Sequence, residues 1–132
     1  MSPGRLLLAV FLVAPVASCG GTAAALGADL WISQGQYGED VFTAALMFFG
    51  FLSFLAILAG LLVVGVPMAL LLNRAGVSAI ARDALFALAL AVPALLLARA
   101  APDLKWLAFS YWAATSFLWI AALRWAARKP AR

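Results

Sequence analysis

The chain has 132 residues, of which 67% are hydrophobic and 11% charged, with mean hydropathy +1.09 and a formal net charge of +4. A soluble domain is about 45–50% apolar, so this excess exceeds what one small core can bury, and the natural solvent is a bilayer. The single Cys excludes an intramolecular disulfide, and the absence of His leaves neither a metal-ligand cluster nor a His-based nucleophile pair.

The first uncharged run covers residues 6–28, between Arg5 and Asp29. It is long enough to span, since about 20 apolar residues cross a bilayer. Pro15 and the pair Gly20 and Gly21 interrupt it and weaken a helix. Within it, Val16-Ala17-Ser18-Cys19 resembles the lipobox of bacterial lipoproteins. Arg5 and an apolar segment precede it, and Pro15 stands just before the small-residue site, as a cleavable signal often arranges. The resemblance implies that Cys19 is the lipidated mature N-terminus. Three readings follow: a retained first span with Cys19 as a small apolar residue inside a helix, a lipoprotein cut before Cys19, or an ordinary cleaved signal. The uncharged stretch continuing to Ala28 favours the first.

The polar stretch DLWISQGQYGED, residues 29–40, reads as a loop. The second apolar run, residues 41–73, would reach ~50 Å as one helix, longer than an upright span needs. It contains Pro67, which removes a helical hydrogen bond and disfavours helical Val66; a hinge is expected there. After a short connection containing Gly76, the third run covers residues 84–98. It becomes long enough to span if it starts near Ser78, a suitable N-cap, with Arg82 snorkelling outward. Pro93 is a second expected hinge. The turn RAAPDLK, residues 99–105, joins it to a fourth run over residues 106–123, so the last two spans form an antiparallel hairpin. Trp106 and Trp125 stand at the two ends of that run, as in an aromatic belt.

The expected fold class is therefore all-α: a small polytopic integral membrane protein, residues 1–132 in a single membrane domain. Its spans are placed near residues 6–26, 43–66, 80–99 and 106–124, or the last three alone if the first segment is cleaved. Orientation follows from positive charge. With four spans and an inner N-terminus, Arg5, Arg74, Arg82, Arg124, Arg128, Lys129 and Arg132 lie inside, against Arg99 and Lys105 outside. This puts both ends in the cytoplasm, residues 29–40 outside, and residues 124–132 in a cytoplasmic tail. The lipobox-like pattern and the Ala-rich composition suggest a bacterial inner (plasma) membrane.

No ionisable residue falls at a span centre, so proton relays and voltage sensing lack their usual material. Asp83 comes nearest, at the start of the third helix, where Arg74 or Arg124 could pair with it; Arg82, its neighbour, points to another face. Ala56-x-x-x-Gly60 and Ser110-x-x-x-Ala114 mark expected helix-packing faces. Phe48, Phe49, Phe51 and Phe54 crowd the second span, and Trp106, Phe109, Trp112 and Trp119 recur at roughly helical spacing in the fourth. Small multidrug transporters are similar in length and span count, but they need an embedded Glu in the first helix, which residues 6–28 lack. The segment FFGFLSF is superficially similar to the Phe-rich track of dual-topology fluoride channels, a track richer in Thr and Ser; neither function is carried over.

The expected function is thus non-catalytic and without a cofactor: an accessory or assembly component whose partners are the lipid bilayer, a second copy, or other membrane proteins. Nucleic acid is not expected, because the positive residues flank apolar runs instead of forming one patch. Two alternatives stand beside it. One is a small oligomeric transporter or channel lined by Ser53, Ser110, Thr115 and Ser116. The other is a lipid-anchored envelope protein presenting Trp31 and Tyr37.

Overall fold

The computed structural model describes residues 2–33 and 38–128. Helix α1 covers Pro3–Ser33 and α2 Glu39–Gly60; a π-helical turn, Leu61–Gly65, leads straight into α3, Val66–Arg74. Helix α4 covers Ala79–Ala100, a 3-10 turn Pro102–Leu104 follows, and α5 covers Lys105–Ala127. Among the described residues every element is helical. Among the described residues four stretches, Pro3–Ala28, Asp40–Arg74, Ala79–Ala100 and Pro102–Ala127, are long and apolar enough to cross a membrane.

Helix α1 runs unbroken through Pro15, Gly20 and Gly21, where the sequence suggested weakness. Packing supplies the reason. Leu6, Ala9, Val10, Val13, Ala14, Ala17, Ser18, Gly21, Thr22 and Ala25 are all buried, and they recur at the helical period. From Ala14 onward this stripe is made of small residues, so neighbouring backbones approach closely. The most extensive interface in the bundle is α1 against α5; α2 flanks α1 and α4 flanks α5. The central pair is therefore α1 and α5, with α2 and α4 outside it. The expected loop is correspondingly shorter than residues 29–40, because α1 continues to Ser33 and α2 begins at Glu39. Residues 34–37, the side chain of Trp31 and the tail from residue 129 lie outside the described residues.

The expected interruption at Pro67 takes a specific form. Pro67 has no N–H to donate, and one turn earlier the ladder widens: the Val66 N–H bonds the Leu61 carbonyl, five residues back. This π turn places Gly65 inward and leaves Val63 and Val64 exposed. Gly65 is bare where the Trp119 ring lies; a Cβ there would sit 3.3 Å from Trp119 Cζ2 and 3.1 Å from Leu61 Cδ2.

Helix α3 ends in a Schellman motif. Gly76 adopts φ 69°, the Val77 N–H bonds the Leu72 carbonyl at 3.2 Å, and the Gly76 N–H bonds the Asn73 carbonyl at 3.3 Å. Ser78 then caps α4, its hydroxyl accepting from the Ala81 N–H at 3.3 Å. Helices α4 and α5 form the antiparallel hairpin expected from the short turn between them. The Trp112 Nε1–H donates to the Ala87 carbonyl at 3.0 Å across that hairpin. Pro93 lies within α4, which continues through it.

The connectivity sorts charge by end. Arg5, Arg74, Arg82, Arg124 and Arg128 lie at one end of the bundle, where Arg5 Nη1 donates to the Arg128 carbonyl at 2.7 Å. Asp40, Asp103, Arg99 and Lys105 lie at the other.

Candidate functional site

The chemistry-bearing residues gather in two places. The first is at the basic end. Asp83, in the second turn of α4, is buried, and Arg124 of α5 grips one of its oxygens: Nη2 is 2.8 Å and Nε 2.9 Å from Oδ2. Arg82 Nη2 stands 3.6 Å from the other oxygen, Oδ1. Of the two partners anticipated for Asp83, the structure brings Arg124 and leaves Arg74 exposed.

Two expectations about Arg82 are corrected here. Its side chain is 7% exposed, so it does not snorkel. It also turns back on its sequence neighbour despite their different helical faces, because its long flexible stem lets the guanidinium fold toward the carboxylate. Arg124 is a different kind of partner, with 61% of its side chain exposed. Two guanidiniums on one carboxylate leave the cluster one positive charge in excess. Beside it, Phe86 meets Trp119 edge-on at 6.0 Å, and both are buried. Arg82 Nε, Asp83 Oδ1, Ser116 Oγ and Trp119 Nε1 are buried without a hydrogen-bond partner. The arrangement ties α4 to α5 electrostatically at one end of the hairpin.

The second place is the crossing of α1, α2 and α5. The Tyr111 hydroxyl meets the buried Thr22 hydroxyl and donates to the Phe49 carbonyl at 3.2 Å. One phenol therefore links three helices. It reaches them because Gly21, directly under its ring, has no side chain: a Cβ there would lie 2.5 Å from Tyr111 Cδ1. This junction was not anticipated. The signal in the sequence is the period-four run of small residues Ala17, Gly21 and Ala25, which overlaps the lipobox-like segment.

The remaining expected residues fall as follows. Cys19 is exposed on α1 as a free thiol. Ala56 and Gly60 are exposed on α2 and line a cleft of about 340 Å³ shared with α4 and α5. Ser110 and Ala114 are half-buried on α5. Ser53 and Thr115 reach the same cleft, whereas Ser116 is buried away from it. Pro93 lines the cleft, and Pro67 is exposed behind the π turn. Among the described residues no cluster of His, Cys, Asp and Glu could hold a metal ion.

Among the described residues, these features define an all-helical fold with four membrane-length helices and one buried charge cluster at its basic end. Set against protein-family models, curated proteins and solved structures, the chain matches none.

Proposed function

We propose that the protein is a multi-pass component of a bacterial inner membrane that works by association, as an accessory or assembly subunit, without catalysis. Both ends lie in the cytoplasm, because the end carrying Arg5, Arg74, Arg82, Arg124 and Arg128 is the strongly basic one. One observation carries the reading: the polar groups of Ser18, Ser53, Tyr111 and Asp83 are engaged in holding the helices, and the unpartnered Ser116 and Trp119 are buried in the packing. Ser18 Oγ donates to the Pro15 carbonyl at 3.0 Å and Ser53 Oγ to the Gly50 carbonyl at 3.0 Å. Tyr111 joins three helices, and Asp83 joins α4 to α5. A solute path needs convergent polar groups free to meet the solute, which favours association over a pore. The surface offered to a partner is the outer face of α2, where Met47, Phe48, Phe51 and Leu55 are exposed in helical register. Extraction in a gentle detergent should recover the protein in a complex larger than one chain, disrupted by Phe48→Ala with Phe51→Ala. A lone monomer from the native membrane overturns the reading.

The first span is retained in this proposal. Cutting before Cys19 would remove Leu6, Val10, Val13, Ala14 and Ala17 from the core, all at most 5% exposed. Intact-mass analysis of protein purified from its membrane should therefore include residues 6–18. A mature chain beginning at Cys19 with added lipid mass would instead establish the lipoprotein alternative.

A further inference from the structure

Arg82 is charged, buried and without a hydrogen bond among the described residues. Its side chain is 7% exposed. Its Nε–H meets no acceptor. Its Nη2 stands 3.6 Å from Asp83 Oδ1, beyond hydrogen-bond length, and Oδ1 is itself unpartnered. A guanidinium carries five N–H donors, and a buried charge persists where such donors are met. Asp83 does not meet them, because its other oxygen, Oδ2, is held by Arg124 at 2.8 and 2.9 Å.

The charge does not balance either. Two guanidiniums share one carboxylate, so the cluster keeps one positive charge. Asp83 is the one acid at this end among the described residues, against Arg5, Arg74, Arg82, Arg124 and Arg128. Arg82 also lies in the first turn of the 22-residue helix α4, where the helix dipole adds positive potential. Water would satisfy the N–H groups and leave the charge; a monoanion satisfies both.

Geometry narrows the kind of anion. The planar fork of a guanidinium matches the paired oxygens of a phosphate group. The approach is open: of the unpartnered Arg82 nitrogens Nε alone is fully enclosed, and the neighbouring Arg124, 61% exposed, commits Nε and Nη2 to Asp83 and keeps Nη1 free. Depth agrees as well. Asp83 and Arg124 each lie about one turn from a helix end, near the boundary between hydrocarbon and headgroups.

We propose that Arg82 and Arg124, held side by side by Asp83, bind one phosphate-type oxyanion at the basic end of the bundle. Its two sources are the headgroup of an anionic phospholipid and free phosphate. The proposal rests on the charge cluster alone and is independent of the association reading.

The test has two arms, both on the full chain. In the first, protein is reconstituted in vesicles of equimolar phosphatidylglycerol and phosphatidylcholine, re-extracted in mild detergent, and its retained lipid quantified by mass spectrometry. In the second, detergent-solubilised protein is unfolded by heat with inorganic phosphate or with chloride at equal ionic strength. A headgroup site shows as one phosphatidylglycerol per chain, enriched several-fold over phosphatidylcholine. A free-phosphate site shows as a higher unfolding midpoint in phosphate than in chloride, without lipid enrichment. Whichever signal wild type gives should be lost in Arg82→Gln and kept in Arg74→Gln, which removes an exposed arginine from the same end. Arg82→Gln should fold, because Arg124 still holds Asp83. If it does not, Arg82→Lys takes its place; it keeps the charge without the fork, and its signal should fall several-fold. Wild type with neither signal would overturn the proposal, as would an undiminished signal in the Arg82 variant that folds. An equal loss in Arg74→Gln would overturn it too, because that marks diffuse attraction to a basic surface and not a site.

Discussion

Asp83→Ala should cost the bundle about 3–5 kcal/mol, the usual penalty for removing one partner from a buried ion pair. The loss is dominated by what is left behind. Arg82, with 7% of its side chain exposed, would keep its charge in a site without an anion. The measurement is unfolding of the detergent-solubilised protein by SDS titration, followed by tryptophan fluorescence. Trp119, one of five tryptophans in the chain, packs on Phe86 one turn from Asp83 and contributes to that signal. Adding Arg82→Met to Asp83→Ala should recover most of the lost stability, because the orphaned charge goes with it. The double-mutant cycle thus separates a stranded guanidinium from a missing interaction. Arg124→Gln should cost about 1 kcal/mol, since that side chain is 61% exposed and water screens the pair. Equal losses from Asp83→Ala with and without Arg82→Met would show that the carboxylate's packing, not its charge, holds α4 to α5.

The helices were readable because a membrane-length apolar run is a strong signal, and the hairpin of α4 and α5 followed from a turn too short to allow anything else. The Ser78 cap was legible for the same local reason: a hydroxyl positioned before an apolar run satisfies an N–H that would otherwise lack a partner. The order of packing was not legible. In water, the apolar face of a helix identifies its core; in a lipid-facing bundle, apolar residues cover both faces and report little. Phe48 and Trp119 look equally core-like in sequence, yet one is 63% exposed and the other fully buried. What distinguishes a packed face here is small size. Ala17, Gly21 and Ala25 carry that signal on α1, and the same small residues make Val16–Cys19 resemble a lipobox. Ala56 and Gly60 carry an equal signal on α2 but line an open cleft, so small spacing alone does not say what fills the space it creates. Arg82 was misplaced by treating side-chain direction as fixed by the backbone. Its length lets the guanidinium reach a neighbour that a shorter residue could not.

Gly21→Ala and Gly20→Ala, one residue apart on the same helix, should change stability in opposite directions. At Gly21 a new Cβ would lie 2.5 Å from Tyr111 Cδ1, 3.0 Å from Cε1 and 3.3 Å from the Tyr111 Cα. The ring cannot simply swing away, because its hydroxyl is bonded to Thr22 and to the Phe49 carbonyl. With the Tyr111 backbone also this near, α5 itself must shift. Overpacking of this kind costs about 1–3 kcal/mol, and the displacement falls on the α1–α5 interface at the centre of the bundle. Gly21→Leu should prevent the wild-type fold from forming. At Gly20 a Cβ meets nothing within 4 Å, so Ala there gains only helix propensity, up to about 1 kcal/mol. The SDS titration that measures Asp83→Ala serves here too, with Tyr111→Phe in the Gly21→Ala background as the second step. If the hydroxyl anchor is what prevents the ring from yielding, releasing it should make the alanine at residue 21 less costly. A Gly21→Ala protein as stable as wild type would mean that α1 and α5 do not cross this closely.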